Sequence, residues 1–305
     1  MRWCTYRAAG RAPAVGLVSD GQVFGLEPPA RLIELLGSPQ GVEEARNRAL
    51  SSPHEVRPLA EVQLLAPVPV PPSVRDFMAF EEHVLASTVA LGLLVDPVWY
   101  EIPAFYFSNP AAVQGPYEDV AISPGSAAFD FELEIAAVIG VPGSDIDPAD
   151  AGAHVAGYTV MCDWSARDLQ QREQRLNLGP AKGKDSATSI GPVLVSVDEL
   201  EPYRKGNAYD LEMTASVNGR QYSKGNFSSI YWSFPELIAY ASRGTELRTG
   251  DVIGSGTVGT GCILELSRTH GLDAYPWLQP GDRVVLEVER LGSIAATVRA
   301  SRVSG

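Results

Sequence analysis

The sequence predicts many short strands, a few helices and a small N-terminal unit, which agree with a β-rich α+β class, and three observations carry that reading. Short apolar runs of strand type recur from Arg2 to Val298, while helical periodicity is confined to a few segments. Turn signals such as Asn218-Gly219 stand between paired runs. A proline-dense stretch, with Pro67, Pro69, Pro71 and Pro72 inside LLAPVPVPPSV, divides residues 1–70 from residues 71–305.

Taken in order, residues 1–26 read as short strands, with Ser19-Asp20-Gly21 as a hairpin turn between two Val-rich runs. RLIELLG has helical spacing and stops at Gly37, and GVEEARNRALSS is a second helix. After the prolines, RDFMAFEEHVLASTVALGLLV reads as a helix capped by Asp76, running to about Leu94 and closed by Pro97. The loop AFYFSNPAAVQGP mixes aromatic and turn residues, as pocket walls do. AFDFELEIAAVIG is a strand, DPADAGAHV a short helix from Asp147-Pro148, and YTVMCDW a strand that places Asp163 at its end. Ser165 to Asp168 resembles a capping box for a helix from Ala166 to about Arg175. YDLEMTASVNGRQYSKG is a hairpin, FPELIAYASRG a helix, CILELS a strand carrying Glu265, and LQPGDRVVLEVERLGSIAATV a hairpin turning near Gly292.

The 305 residues are 45% hydrophobic and 20% charged, enough for a large core. A net charge of −13, with no block of Lys and Arg, argues against a polyanionic partner such as nucleic acid. The longest mostly apolar run, Val84 to Val95, is too short to span a bilayer, and the N-terminus lacks a signal-peptide pattern, so no membrane is expected and the cytoplasm is the default. Cys4, Cys162 and Cys262 are odd in number and far apart, which predicts free, buried thiols rather than disulfides or a cysteine zinc site.

Chemistry concentrates in the acidic strand. Asp130, Glu132 and Glu134 alternate with Phe131, Leu133 and Ile135, so a period of two puts all three carboxylates on one face. Carboxylates so spaced lie roughly 6–7 Å apart. If buried they must protonate, meet cations or hold a metal. An edge strand could carry them as solvated acids, but the continuous apolar run IAAVI that follows suits a buried strand. The stretch therefore reads as an oxygen-ligand metal site. Two glycine-rich stretches carry less. GPAKGKDS lacks the phosphate-loop spacing and has Asp185 where Ser or Thr belongs. Gly254, Gly256 and Gly259 form a G-x-G-x-x-G, but the strand expected at CILELS removes the helix that a dinucleotide site requires. A lone histidine on a helix, such as His83, is more often structural than catalytic.

FELE, DWSARDLQQ, LGPAKGKDSATSIGP, GDVIGSGTVG and CILELS, in this order and spacing, resemble the fumarylacetoacetate hydrolase superfamily. The resemblance covers roughly residues 70–300 and implies a mixed β-sandwich roll catalytic domain after a small N-terminal α/β domain, commonly in a homodimer. It makes Glu132, Glu134 and Asp163 metal ligands, with Asp76 added as in the hydrolase branch, and leaves Asp130 outside the set. All-carboxylate ligation suits Mg2+ foremost, then Mn2+ or Ca2+, and argues against Zn2+. The stretch DFMAFEEH has that branch's spacing of metal ligand and general base, so His83 becomes the base and Glu265 its orienting carboxylate. Lys184 and Gln170 become donors to an enolate, and Tyr106 and Thr257 substrate-binding residues.

The implied reaction is hydrolysis of a carbon–carbon bond in a 1,3-dicarbonyl substrate of acylpyruvate or fumarylacetoacetate type, through a metal-bound enolate, with water activated by His83 and Glu265. Decarboxylases, hydratases and isomerases of 2-oxo acids share the same ligands, and a non-catalytic binding protein is a further alternative. One departure concerns specificity. Fumarylacetoacetate-cleaving members carry an arginine downstream of the histidine, whereas VLASTVALGLLV has no basic residue before Pro97. The expectation is a substrate with a less acidic or more hydrophobic end.

Overall fold

The computed structural model describes residues 1–89, 92, 94–177 and 179–301. Its helices are α1 (Leu32–Leu36), α2 (Pro39–Ser51), α3 (Glu81–Val89), α4 (Arg167–Gln174), α5 (Val197–Leu200), α6 (Phe234–Ser242) and α7 (Ile263–His270). The architecture is the expected β-rich α+β one. A twelve-stranded mixed sheet faces a five-stranded sheet, in which Glu212–Val217 and Arg283–Val288 are central. Leu133, Ile135 and Ala137 of the large sheet bury against Met213, Leu286 and Ile294 of the small one. The opposite face of the large sheet, with Ala136, Val138 and Met161, is covered by Leu32, Leu36 and Ala45 of α1 and α2.

The strand Leu133–Ile139 lies in the middle of the large sheet and is buried at every position, Glu134 included, as the apolar run from Ile135 to Ile139 suggests for its greater part. It pairs antiparallel with Val155–Asp163 on one side and Val252–Gly254 on the other. Residues 1–70 extend the same sheet: Arg2–Arg7 pairs with Thr188–Val195, and Ala14–Ser19, Gln22–Gly25 and Glu55–Pro58 follow outward. Both expected tight hairpins form, with Asp20 and Gly21 at φ 49° and 72°, and Asn218 and Gly219 at φ 52° and 79°. Positive φ at both central residues is what a two-residue turn matched to strand twist demands. α6 carries a capping box in which Ser233 N donates to Glu236 at 2.8 Å. The three cysteines are free and buried, as expected. Among the described residues no helix is long and apolar enough to cross a membrane.

Four local expectations are corrected. Asp76 does not cap a helix: it lies in the buried strand Val74–Phe77, between Val252–Gly254 and Phe105–Ser108, and α3 begins only at Glu81. Two sheet partners outweigh the helical preference of a four-residue segment. The continuation expected toward Leu94 includes residues 90, 91 and 93, which lie outside the described residues. CILELS is not a strand but the start of α7, because in a run this short the buried Ile263 and Leu266 fit a helical stripe as well as a strand. The Ser165 capping box is absent; Ser165 belongs to a two-residue strand paired with Phe129–Asp130, and Asp168 instead accepts from Ser126 and the Ala127 amide. DPADAGAHV forms only the single turn Ala151–His154.

Candidate active site and cation site

The large sheet brings the sequence-distant acids together. Glu134 stands opposite Met161 in the Leu133–Ile139 and Val155–Asp163 pair, which sets Asp163 near Glu132. Gly254 stands opposite Asp76 in the parallel pair across the next seam. The missing side chain matters there, since a Cβ on Gly254 would come 2.5 Å from Asp76 Oδ1. Gly256, at φ 74°, lets its amide donate to the same oxygen at 3.2 Å. The glycine stretch thus lets the backbone come close to a carboxylate of the protein itself.

Ligand-capable oxygens of Asp76, Glu132 and Glu134 lie within 4.8 Å of one another, all buried. Tyr106 hydroxyl donates to Asp76 at 3.0 Å and also bonds Asp163. Lys184 Nζ pairs with Asp163 at 2.7 Å, bonds Glu132, and donates to Ser165 Oγ at 2.8 Å. Arg167 Nη2 reaches Glu132 at 2.8 Å. Two cations do not balance four acids, and the electrostatics show it. Burial opposes it, yet Arg167 and Lys184 hold Glu132 well below the usual carboxylate range. Burial and the Asp163 charge push Asp76 up to about 7. Burial and the Asp76 charge push Glu134 up strongly, and burial also raises Asp163.

A hard divalent cation fits this donor set. Neither carboxyl oxygen of Glu134, nor Oδ1 of Asp163, accepts a hydrogen bond, although all three are buried. Such orphaned acceptors are costly without a positive charge. The donors are all oxygen, as Mg2+, Mn2+ or Ca2+ prefer.

Asp76 and Glu132 line one cavity of about 850 Å3, together with His83, Tyr106, Gln170, Lys184 and Thr257, whereas Glu134 and Asp163 do not reach its surface. His83, on the first turns of α3, has its Nδ1 2.8 Å from Glu265 Oε2 of α7, and both side chains are buried. Glu265 is further fixed by the Thr260 amide, which donates to its other oxygen at 2.7 Å. The sequence-expected site residues gather at or next to this cavity: Asp76 and Glu132 on its surface with Glu134 and Asp163 packed against their group, Lys184 and Tyr106 beside them, His83 on the wall backed by Glu265, and Gln170 and Thr257 on the walls. Burial holds the Tyr106 phenol far above its usual value, so it serves as a donor.

Two participants, Arg167 and Arg268, escaped the sequence reading, and a third, Asp130, was read only as a carboxylate outside the ligand set. Arg167, the cation inside DWSARD, bonds Asp130 at 2.8 Å as well as Glu132. Asp130, on the acidic face but apart from the cluster, also accepts from the amides of Ile263 at 2.7 Å and Leu264 at 2.9 Å, so its charge sits at the N-terminus of α7. This changes the reason for setting aside the G-x-G-x-x-G: a helix does follow it, but the amides that would hold a pyrophosphate are occupied by Asp130. Arg268 of α7 lines the cavity, so the pocket wall near α3 is not purely apolar as expected. A motif-internal arginine was a signal available in the sequence; for Arg268 there was none.

Comparison with known proteins follows this geometry. The family model described as fumarylacetoacetate (FAA) hydrolase C-terminal matches residues 73–299. The chain is 32% identical over 268 residues to the mitochondrial oxaloacetate tautomerase FAHD2A of Homo sapiens, covering 87% of this chain and 79% of that protein. The fumarylacetoacetate hydrolase of Exiguobacterium antarcticum is similar in structure, with a TM-score of 0.72 at 25% identity over 98% of this chain and 99% of the other. A maleylpyruvate hydrolase from Sphingobium sp. SYK-6, solved with manganese(II) and pyruvate, shares the fold at a TM-score of 0.73 and 22% identity, over 99% of this chain and 100% of the other. The protein belongs to the fumarylacetoacetate hydrolase family of enzymes.

Proposed function

We propose that the protein is a divalent-cation-dependent hydrolase that cleaves a carbon–carbon bond in a 1,3-dicarbonyl acid of the acylpyruvate class. The observation that carries this reading is the buried 2.8 Å contact between His83 Nδ1 and Glu265 at the wall of the cavity that Asp76 and Glu132 line. A carboxylate on Nδ1 fixes that nitrogen as the donor and leaves Nε2 as a base. Nε2 accepts a proton from water, and the water oxygen attacks the acyl carbonyl. As the carbon–carbon bond breaks, its electron pair passes onto the neighbouring 2-oxo group as an enolate. Gln170 offers donors to that oxygen, and the ammonium of Lys184, held by Glu132, Asp163 and Ser165, adds positive charge beside it. Protonation at carbon by the imidazolium completes a 2-oxo acid and a carboxylic acid.

Asp76, Glu132, Glu134 and Asp163 would hold the cation, with Mg2+ as the physiological ion. Its chemistry when bound is positive charge against developing oxyanions. The manganese and pyruvate of the Sphingobium structure are consistent with such a site and product. The working form is a cytoplasmic homodimer in this reading. A second reading, keto–enol tautomerisation of a 2-oxo acid, is favoured by the 32% identical tautomerase, and the same base could move a proton between carbon and oxygen. Product analysis of acylpyruvates and oxaloacetate by proton NMR with Mg2+ separates them. Two carboxylic fragments from the acylpyruvate support hydrolysis; intact acylpyruvate with accelerated oxaloacetate enol–keto exchange supports the second reading. His83→Ala should lower kcat by about 10^2–10^4 while cation binding persists; full turnover in that variant refutes the base assignment.

A further inference from the structure

Cys262 differs from the other two buried cysteines. Among the described residues, two groups of acid, imidazole and thiol donors stand close enough to share an ion. One is the carboxylate group of Asp76, Glu132 and Glu134. The other joins His83, Cys262 and Glu265, whose donor atoms lie within 4.8 Å of one another, all three side chains buried. Cys4 and Cys162 belong to neither group and pack in the core as small apolar side chains.

The placement follows from α7. Cys262 immediately precedes the helix and Glu265 comes three residues later, so both side chains fall on one side of its first turn. Backbone pairing of Cys262 with Glu132, and the bonds of Asp130 to the next two amides, fix the start of the helix. The Thr260 amide holds Oε1 of Glu265, which leaves Oε2 for His83 Nδ1. Two of the three donors are thus held by groups outside the set, and His83 brings the third from the cavity wall. A tetrahedral zinc ion with bonds of about 2.0–2.3 Å needs its donors roughly 3.3–3.6 Å apart. Opening the 2.8 Å contact between Nδ1 and Oε2 and drawing in the sulfur asks for shifts of about 1 Å, within reach of side-chain torsions.

We propose that His83, Cys262 and Glu265 form a second cation site, for a borderline-soft ion such as Zn2+, and that its occupation switches the enzyme off. Nitrogen, sulfur and oxygen donors together favour zinc, whereas the all-oxygen group favours Mg2+ or Mn2+, so the two donor sets sort two kinds of ion. On binding, the imidazole proton moves from Nδ1 to Nε2, Nδ1 gives its lone pair to the ion, and the thiol proton leaves to solvent as the sulfur binds as thiolate. Nε2 then carries a proton and no longer accepts one from water. The inhibition rests on the reading of His83 as the base; the metal site does not.

The test titrates Zn2+ against acylpyruvate turnover at saturating Mg2+ in the wild type, C262S and C262A, each relative to its own zinc-free rate. Loss of the sulfur should raise the inhibitory concentration at least about 100-fold, since even an outer partner of a metal ligand is worth 10- to 100-fold in affinity. Equal inhibition of all three proteins, or none of the wild type, overturns the switch. A second measurement needs neither turnover nor a variant: zinc X-ray absorption of the Mg2+-loaded wild type with one equivalent of Zn2+. One sulfur at about 2.3 Å beside nitrogen and oxygen supports the site, and a shell of nitrogen and oxygen alone overturns it. Co2+ in place of zinc should give a sulfur-to-metal charge-transfer band in the wild type that C262S lacks; a band that survives in C262S assigns the sulfur to another cysteine and overturns the site. If the protein cleaves no acylpyruvate, these two signals still decide the metal site. If sulfur is bound and turnover persists at full occupancy, the site stands and the base assignment of His83 fails.

Discussion

Asp130 offers the sharpest perturbation, because it touches neither the cavity nor the cation cluster directly. Its buried carboxylate accepts from Arg167 Nε at 2.8 Å, from the amides of Ile263 and Leu264 at 2.7 and 2.9 Å, and from its neighbour Phe131 at 2.8 Å. Asp130→Ala leaves a buried guanidinium half-paired and two helix-terminal amides bare. Breaking one side of a buried ion pair costs about 3–5 kcal/mol. Losing a side-chain cap costs about 1 kcal/mol. The terms share one carboxylate and do not add fully, so a loss of about 4 kcal/mol is expected. Asp130→Asn keeps one acceptor oxygen but turns an amide NH2 toward existing donors, and should cost about 2–3 kcal/mol. Urea unfolding followed by tryptophan fluorescence measures both; Trp164, one strand away, is buried and stacks on Phe129. Because α7 also positions Glu265, turnover should fall in both variants, beyond what the unfolded fraction explains. A loss below about 1 kcal/mol in Asp130→Ala would refute the reasoning, since a group with these partners cannot be removed at that cost.

Cation dependence has a definite sign with pH. In the cation-free protein Asp76 titrates near 7, above its ordinary 3.8, so the folded state binds more protons than the unfolded one between those values. The contribution of Asp76 to stability is therefore greatest below its ordinary 3.8 and is lost as pH rises toward 7. A cation needs the ionised acids, so the gain in Tm from added Mg2+ should widen between about pH 5.5 and about pH 8; a constant gap sinks the assignment. Glu134→Gln removes the charge with no donor, and should leave the cation-free protein equally or more stable while abolishing the Mg2+-induced shift, read by calorimetry. A Cβ at Gly256 would strike the Phe77 carbonyl from a φ of 74°, so Gly256→Ala should lose more than about 2 kcal/mol and weaken cation binding through Asp76. Wild-type stability in that variant would show that the loop yields without cost.

What the sequence by itself determined was local and periodic. Alternation placed Glu132 and Glu134 on one face, the unbroken apolar run from Ile135 to Ile139 marked their strand as buried, and paired residues able to take positive φ located both tight hairpins. Motif order led to the remaining acids and to the His83–Glu265 pair. Tertiary structure alone decided the states of short ambiguous segments. VRDF became a strand because two neighbours pair with it, and CILELS became a helix because Asp130, 133 residues away, holds its first amide. It also decided what each charge faces. Asp130 left the ligand face for Arg167 and α7, and Arg268 reached the cavity beside α3 with no carboxylate partner among the described residues. A spacing of two or three to four residues is written in the chain; a contact across more than a hundred residues exists only once the sheets have packed.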